Sequence, residues 1–537
     1  MKPDFHSTDA LRRPRAAGTV RRALRLAVGA ALMLALPQFA QAQLRSPTYG
    51  WNLGNTLDAT WTGVTPPTQA LINAVAAAGF NTIRIPCAWD HNADPNTHQI
   101  NPSYMATVTQ VVQWAQAANL TIIINDHWDG GWFEKSDFNS FDNNVNAKLV
   151  SYWTQIANNF RNYNSNLLFA AANEPAISSQ TQANVLYQYY QSFINTVRGT
   201  GGNNGTRWLV VQNVNDAYWD TPLPSDPAKH LVFEAHYYSP FQYALMTQDE
   251  TWGNQWYFWG KNYHSSSLTT RNSTSSNEES YVTSVLQRLN TLFVSKGVPV
   301  LMGEFGAIRR TGTPGLAGAD LNLHLASRTY FDQVVVAQAN SLGVRPVYWD
   351  DGDNGSSNNA FGIFNRSTAA LTRPDDARAL TGGAALPPPG GSGIVANGIY
   401  KIVARHSGKA LDVAGWGTAD GTNVDQWTYG GGSNQRWAIT HLGNNEYEIV
   451  NLNSGKALDG YNWGTTNGTN VDQWSWNNAA NQTWIVSATA SGYYRLTPKN
   501  ATSMALDVSG VSTADGANVQ LWSYTGGYNQ QWSFQAP

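Results

Sequence analysis

The last quarter of the chain is written three times. Gly408-Lys409-Ala410-Leu411-Asp412 returns as Gly455-Lys456-Ala457-Leu458-Asp459 and again as Ser503-Met504-Ala505-Leu506-Asp507. Asn434-Gln435-Arg436-Trp437 returns as Asn481-Gln482-Thr483-Trp484 and Asn529-Gln530-Gln531-Trp532, and both series step by 47 and then 48 residues. Three β-rich units in constant register supply the thirds of one closed β structure, which leaves no open sheet edge. The stretch Pro387-Pro388-Pro389-Gly390-Gly391-Ser392-Gly393 has the composition of a linker.

Before the linker the pattern is alternation. Short apolar runs at 49–53, 80–86, 120–125, 167–173, 208–213, 231–236, 298–304 and 344–349 are predicted strands. Most gaps carry helical patterns, as at 68–78, 104–118, 147–160, 281–294 and 326–339. Strands alternating with helices imply a parallel sheet, and eight such units in about 300 residues imply a (β/α)8 TIM barrel. The fifth unit is weak, with only a short segment before strand six. The long stretch 241–276 reads as an elaborated loop and carries Trp252, Trp256, Tyr257, Phe258 and Trp259.

Of the 537 residues, 42% are hydrophobic and only 13% charged, while 22 are Trp. Little charge and many indoles favour a neutral polar ligand with apolar faces, as sugars are, and argue against nucleic acid, whose phosphates need clustered cations. Seven basic and two acidic residues give the first 42 residues a net charge of +5, and the remainder carries −8. The basic start, the apolar run Leu24 to Leu36 and Ala40-Gln41-Ala42 have the layout of a secretory signal peptide cleaved after Ala42. The run is too short to span a membrane. The expected destination is outside the cell, with the periplasm as the alternative, and the mature protein is expected as a monomer free of membrane. Cys87, the single cysteine, excludes an intramolecular disulfide and reads as a buried, inert thiol.

In such barrels chemistry gathers at the C-terminal strand ends. There this chain places Arg84, Asp126-His127-Trp128-Asp129, Asn173-Glu174-Pro175, His236-Tyr237-Tyr238, Glu304 and Trp349-Asp350. Glu174 and Glu304 each close a run too apolar to hold a carboxylate without cause. Two carboxylates facing across a barrel mouth are what glycoside hydrolysis requires, and a gap of about 5–5.5 Å favours the retaining route. Arg84 and Tyr238 are suited to hold the nucleophile as a carboxylate, and Asn173 to bond a sugar 2-hydroxyl. His127 and His236 orient neighbours, bond substrate, or are structural histidines. Trp349 offers a floor under a sugar ring. Trp61, Trp89, Trp128, Trp132 and the Trp252–Trp259 group fall on loops expected at the same face, where they are expected to stack on sugar rings. The Asp350–Gly355 loop does not match a calcium-binding spacing, so no metal or other cofactor is expected.

The segments Gly50-Trp51-Asn52-Leu53-Gly54-Asn55-Thr56-Leu57-Asp58, Asn81-Thr82-Ile83-Arg84-Ile85-Pro86, Asn173-Glu174-Pro175, His236-Tyr237-Tyr238 and Gly303-Glu304-Phe305-Gly306 resemble glycoside hydrolase family five, the cellulase family, over about residues 48–370. The resemblance implies a retaining β-glycanase with Glu174 as acid/base and Glu304 as nucleophile. It places Arg84, His127, Asn173, His236, Tyr238 and Trp349 at the remaining active-site positions. Trp128 stands where some subfamilies have a second His. An endo-β-1,4-glucanase acting on cellulose or a related plant β-glucan is the expected activity. The same family includes mannanases, xyloglucanases, xylanases and mixed-linkage glucanases. A lectin-like protein with an inactive barrel is the reading from another class.

The C-terminal repeats resemble the ricin-type β-trefoil, the carbohydrate-binding module of family thirteen. Its Gln-x-Trp signature occurs at 435–437, 482–484 and 530–532, with the Trp residues expected in the core. The resemblance implies three sugar sites: Asp412, Trp427 and Asn434; Asp459, Trp474 and Asn481; Asp507, Trp522 and Asn529. Tyr429, Trp476 and Tyr524 replace half-cystines found in many members, so packing alone must hold the unit. The expected architecture is a signal peptide (1–42), a catalytic α/β barrel (43–380), a linker (381–396) and a small all-β trefoil (397–537).

Overall fold

The computed structural model describes residues 44–355, 360–383, 395–490 and 492–537. The signal peptide and most of the linker expected from the sequence lie outside the described residues.

Eight parallel strands close into a barrel in chain order. They are β1 (Gly50–Asn52), β2 (Thr82–Ile85), β3 (Thr121–Asn125), β4 (Leu167–Ala170), β5 (Leu209–Gln212), β6 (Leu231–Tyr237), β7 (Val300–Phe305) and β8 (Val344–Tyr348). The helices between and after them are α1 (Gln69–Ala77), α2 (Pro102–Ala117), α3 (Asn143–Asn159), α4 (Gln180–Gly199), α5 (Phe241–Ala244), α6 (Glu279–Leu292), α7 (Gly318–Ser341) and α8 (Pro374–Leu380). The apolar runs become strands because both faces are covered, and nearly every strand residue is buried. Helix starts follow from side chains that take up free amides. Thr68, Asp142 and Ser179 cap α1, α3 and α4, and Asn101 with Pro102 opens α2.

The weak fifth unit holds only a single 3-10 turn, Asp216–Tyr218, between β5 and β6. The strands stop short of the apolar runs: β4 ends at Ala170 and β8 at Tyr348. Asn173, Glu174 and Trp349 therefore sit on the loops beyond, where backbone geometry is freer.

Inside the barrel the side chains grade from apolar to polar. Ile123, Leu168, Ala170, Val210, Val232, Leu301 and Val347 pack with Leu44 at one end. Residues two positions on point the same way, so Ile123 is followed by Asn125, Val210 by Gln212, and Val232 by Glu234 and His236. This alternation brings the polar groups to the mouth.

The repeats form twelve antiparallel strands: β9 (Gly398–Ala404), β10 (Ala410–Val413), β11 (Thr422–Trp427), β12 (Trp437–Gly443), β13 (Glu446–Asn451), β14 (Ala457–Gly460), β15 (Thr469–Trp474), β16 (Trp484–Ala490), β17 (Tyr493–Pro498), β18 (Met504–Val508), β19 (Ala517–Ser523) and β20 (Trp532–Gln535). Trp437, Trp484 and Trp532 are wholly buried. Their Nε1 groups donate to the carbonyls of Leu411, Leu458 and Leu506 at 3.0, 2.9 and 2.9 Å. On β11, β15 and β19, the side-chain amides of Asn423, Asn470 and Asn518 close a ring of three hydrogen bonds, each 2.9 Å. Packing replaces cross-links: Lys401 lies over Tyr429, Arg495 lies over Tyr524, and Trp476 packs against a small apolar cluster.

Candidate active site

Arg84, fully buried on β2, is the centre of the polar layer. Its Nη1 donates to Glu304 Oε1 at 2.8 Å and to Asn52 Oδ1 at 3.1 Å. Its Nη2 donates to Asn173 Oδ1 at 2.8 Å and lies 3.3 Å from Glu234 Oε1. One guanidinium thus fixes groups from β1, β6, β7 and the loop after β4, which suits its rigid fork of donors. Tyr238 donates to Glu304 Oε2 at 3.0 Å.

His236 joins the two carboxylates singled out from sequence. Its Nδ1 lies 2.6 Å from Glu174 Oε1 and 3.7 Å from Glu304 Oε2. Its Nε2 lies 2.7 Å from the Gln212 amide and 3.1 Å from Glu234 Oε1. Donor atoms of Glu174, His236 and Glu304 all come within 4.8 Å of one another. One oxygen of Glu174 and one of Glu304 thus lie within 4.8 Å of each other. Glu174 stands in the left-handed region at φ 44°, its amide donating to Gln212. Its side chain is 43% exposed against 7% for Glu304.

The electrostatics follow from these contacts. Burial works against a charge on His236, but Glu304, Glu174 and Glu234 outweigh it and push the imidazole up to about 10. It is then a cation at neutral pH. Burial also raises both carboxyls. For Glu304 it prevails over the pull of His236 and Arg84, and the group ends above its ordinary range. For Glu174 the His236 hydrogen bond and the nearby cations prevail, and the group ends below its range.

His127 stacks on Trp349, with ring centroids 5.6 Å apart and planes 5° from parallel. Its Nδ1 lies 3.2 Å from the Asn125 amide, and its Nε2 3.8 Å from Asp58. All six supporting residues expected from sequence thus converge on one site. Gln212 and Glu234, which sequence reasoning did not single out, hold His236 from below. A polar residue inside an apolar strand, two positions from His236 in the case of Glu234, was the available signal. Gly303 is required here, because a Cβ would come within 1.9 Å of Glu234 Oε1.

Trp61, Trp128 and Trp252 are exposed at 44%, 42% and 62% and line the loops as expected. Trp132 is half-buried against the core. Trp89 contradicts the expectation: it is fully buried and donates to the Asn125 carbonyl. So do Tyr257, Phe258 and Trp259, which are buried, Trp259 packing on Phe331. In a loop as long as 241–276 these rings supply the loop's own core. The Asp350 carboxylate accepts from Trp51, Gly352, Ile363 and Arg366, so the loop after β8 is a structural clasp. Cys87 is fully buried, and burial pushes its thiol well up.

In the second unit the three Asp–Asn pairs also meet. Asn434, Asn481 and Asn529 donate to Asp412, Asp459 and Asp507 at 2.8, 2.9 and 2.7 Å. Trp427, Trp474 and Trp522 stand beside them, 47%, 41% and 39% exposed.

Residues 45–355 match the family described as cellulase, glycosyl hydrolase family 5, which is more than half of the 537-residue chain. The chain belongs to glycosyl hydrolase family 5. Residues 393–474, 433–522 and 480–537 of this family 5 protein match the ricin-type β-trefoil lectin-like domain. Endoglucanase A of Paenibacillus barcinonensis is 32% identical over 372 residues, 62% of this chain and 87% of the relative. A xyloglucan-specific endo-β-1,4-glucanase of Bacteroides ovatus is 34% identical over 332 residues, 56% of this chain and 63% of the relative. A solved family 5 xyloglucan-specific β-1,4-glucanase from a ruminal metagenomic library matches at TM-score 0.55 and 37% identity, over 62% of this chain and 93% of its own. The family 5 protein is thus a glycoside hydrolase, an endo-acting glycanase, joined to a lectin-like trefoil. Among the described residues no helix is long and apolar enough to cross a membrane.

Proposed function

We propose that the protein is a secreted, retaining endo-β-1,4-glucanase acting on cellulose or related plant β-glucans. The observation that carries the mechanism is that one oxygen of each carboxylate lies within 4.8 Å of the other, nearer the close spacing of a retaining pair than the wider gap that holds a water in an inverting one. Glu304 attacks the anomeric carbon while Glu174 protonates the departing glycosidic oxygen. A covalent glycosyl-enzyme forms, the shortened chain leaves with the proton, and water activated by Glu174 then releases the second product. Arg84 and Tyr238 keep Glu304 ionised for attack. In the empty site the proton rests on His236. Acid catalysis draws it along the Nδ1–Oε1 contact to Glu174, and a bound sugar that shields Glu174 from water pulls its pKa the same way.

The glucan reading is supported by the names of relatives, endoglucanase A of Paenibacillus barcinonensis among them. Xyloglucan is the second reading, because the Bacteroides ovatus relative and the ruminal metagenomic structure are both xyloglucan-specific. We read Trp349 as the floor under the sugar at the scissile bond, Asn173 as the partner of its 2-hydroxyl, and His127 as the group that orients Trp349. Residues 1–42 are read as the signal that exports the enzyme, and the mature chain as a monomer. The Asp, Trp and Asn of each trefoil repeat form a sugar site, which keeps the catalytic unit near polysaccharide.

The test is reducing-end release from carboxymethyl-cellulose, barley β-glucan, xyloglucan, xylan and mannan, with Glu304→Gln as control. Highest activity on the first two, lost in the control, supports the glucanase reading. Highest activity on xyloglucan establishes the second reading, and highest activity on xylan or mannan overturns both. Silence on all five from folded protein overturns the catalytic assignment.

A further inference from the structure

The three trefoil repeats differ at an exposed position near the Asp–Asn pair. Four residues after the site aspartate stand Trp416, Trp463 and Val511, each closing a 3-10 turn. All three are in the left-handed region, with φ of 60°, 59° and 55°. They are 56%, 56% and 58% exposed. A large side chain in that conformation strains the backbone, and an exposed indole repays the fold with little burial. The turn is common to all three repeats, so what repeat three lacks is the indole.

In the first repeat the cavity is visible. Trp416, Trp427, Asp412 and Asn434 line one space of about 520 Å3. Gly432 lets the Trp416 ring lie over it, since a Cβ would come within 2.8 Å of that ring. At the matching Gly527 the atoms nearest such a Cβ belong to Asn529 and Thr525. Tyr528, next to Asn529, is no substitute wall, because the Arg405 guanidinium stacks on its ring at 3.9 Å.

We propose that repeat one, where Gly432 admits the second ring, holds a pyranose against two indoles, whereas repeat three holds it against one. Resting on the reading of these repeats as sugar sites, this divides them by ligand chemistry. Two indole walls select a ring with C–H groups on both faces, the all-equatorial gluco or xylo configuration of a β-1,4-glucan or xylan. An axial hydroxyl would meet an indole that offers it no hydrogen bond. One wall leaves the other face open to water, so repeat three also accepts a galacto-configured residue.

The test titrates cellotriose and β-1,4-galactobiose into the full chain carrying Glu304→Gln, with a Glu304→Gln/Asp412→Ala/Asp459→Ala/Asp507→Ala chain as the measure of barrel binding. Trp416→Ala weakens one cellotriose site by about tenfold and leaves galactobiose binding unchanged. Val511→Trp strengthens cellotriose at the third site by a similar factor and abolishes galactobiose binding. Far-ultraviolet circular dichroism confirms that each exposed variant is folded. Three sites of equal affinity, or a Val511→Trp chain with unaltered preference, overturn the inference while leaving the sugar sites standing. Identical titrations for the parent and the chain lacking the three aspartates overturn the sugar-site reading itself.

Discussion

The barrel mouth and the trefoil surface are built by opposite constructions. The trefoil writes one short cluster three times, with the same Asp–Asn hydrogen bond at 2.8, 2.9 and 2.7 Å. The mouth writes each residue once, on a different strand or loop, and ties them through Arg84 and His236. A repeated site can differ in one copy, as Val511 stands where the other repeats have Trp416 and Trp463. A site built once has no spare. Chemistry that depends on two carboxylates at fixed spacing belongs in the second kind of construction, and retention on a long polymer in the first.

The sharpest way to break this comparison is to remove one group from each region. Glu174→Gln should lower kcat by about 10² to 10⁴-fold, and Glu304→Gln by at least as much, with unchanged melting and unchanged trefoil binding. Replacing Asp412, Asp459 and Asp507 together should leave turnover of a soluble substrate within about twofold, as no chemistry passes through them. It should release the enzyme from insoluble polysaccharide in a pull-down. A trefoil variant that slows soluble turnover as much as Glu174→Gln would erase the distinction.

Arg84→Met probes the dependence of the mouth on one tie. It takes one of two cations, Arg84 and His236, away from the buried Glu234 and Glu304, so the barrel should lose about 3–5 kcal/mol in denaturant titration. A variant of wild-type stability would show that the network is not built around Arg84. Tyr238→Phe is gentler. Its hydroxyl helps hold Glu304 ionised, so its loss should move the acidic limb of kcat/KM to higher pH. An unmoved limb would remove Glu304 from that limb or Tyr238 from its support.

The smallest effect concerns pH. Asp126, Asp129 and Glu134, on the loop after β3, are buried together, and burial pushes Asp129 up to about 7 and Glu134 up to about 8. Their folded pKa values exceed the ordinary carboxylate range. The stability they lend is therefore complete below that range and is lost as pH rises through 7 and 8. Melting temperature should fall over this window, and Glu134→Gln should flatten the fall. A steeper fall in the variant would contradict the sign. In the trefoil Asp425 and Asp472 are also raised by burial to about 7, whereas repeat three has Gln520 donating to Asp507 at 3.1 Å. The third repeat should therefore be the least affected by pH.

Much of this was legible in the sequence, for reasons that differ by region. Apolar runs declared the barrel strands because a parallel sheet is buried on both faces. Repeat register declared the trefoil, and the isolated Glu174 and Glu304 declared the mouth. Gln212 and Glu234 were not legible as site residues, since one polar residue in a strand marks a face without naming its partners. Trp89 and Trp259 were misread as ligand platforms because a loop ring that fills a core and one that faces solvent have the same local sequence. Only packing separates them.

The most direct measurement uses a 2-deoxy-2-fluoro cellobioside with a good leaving group, which slows release of a glycosyl-enzyme. Intact mass and peptide mapping then locate the adduct. The account predicts one added cellobiosyl group, on the peptide containing Glu304, and none in Glu304→Gln. Labelling of Glu174, or hydrolysis that inverts the anomeric centre in a proton NMR time course, would contradict it.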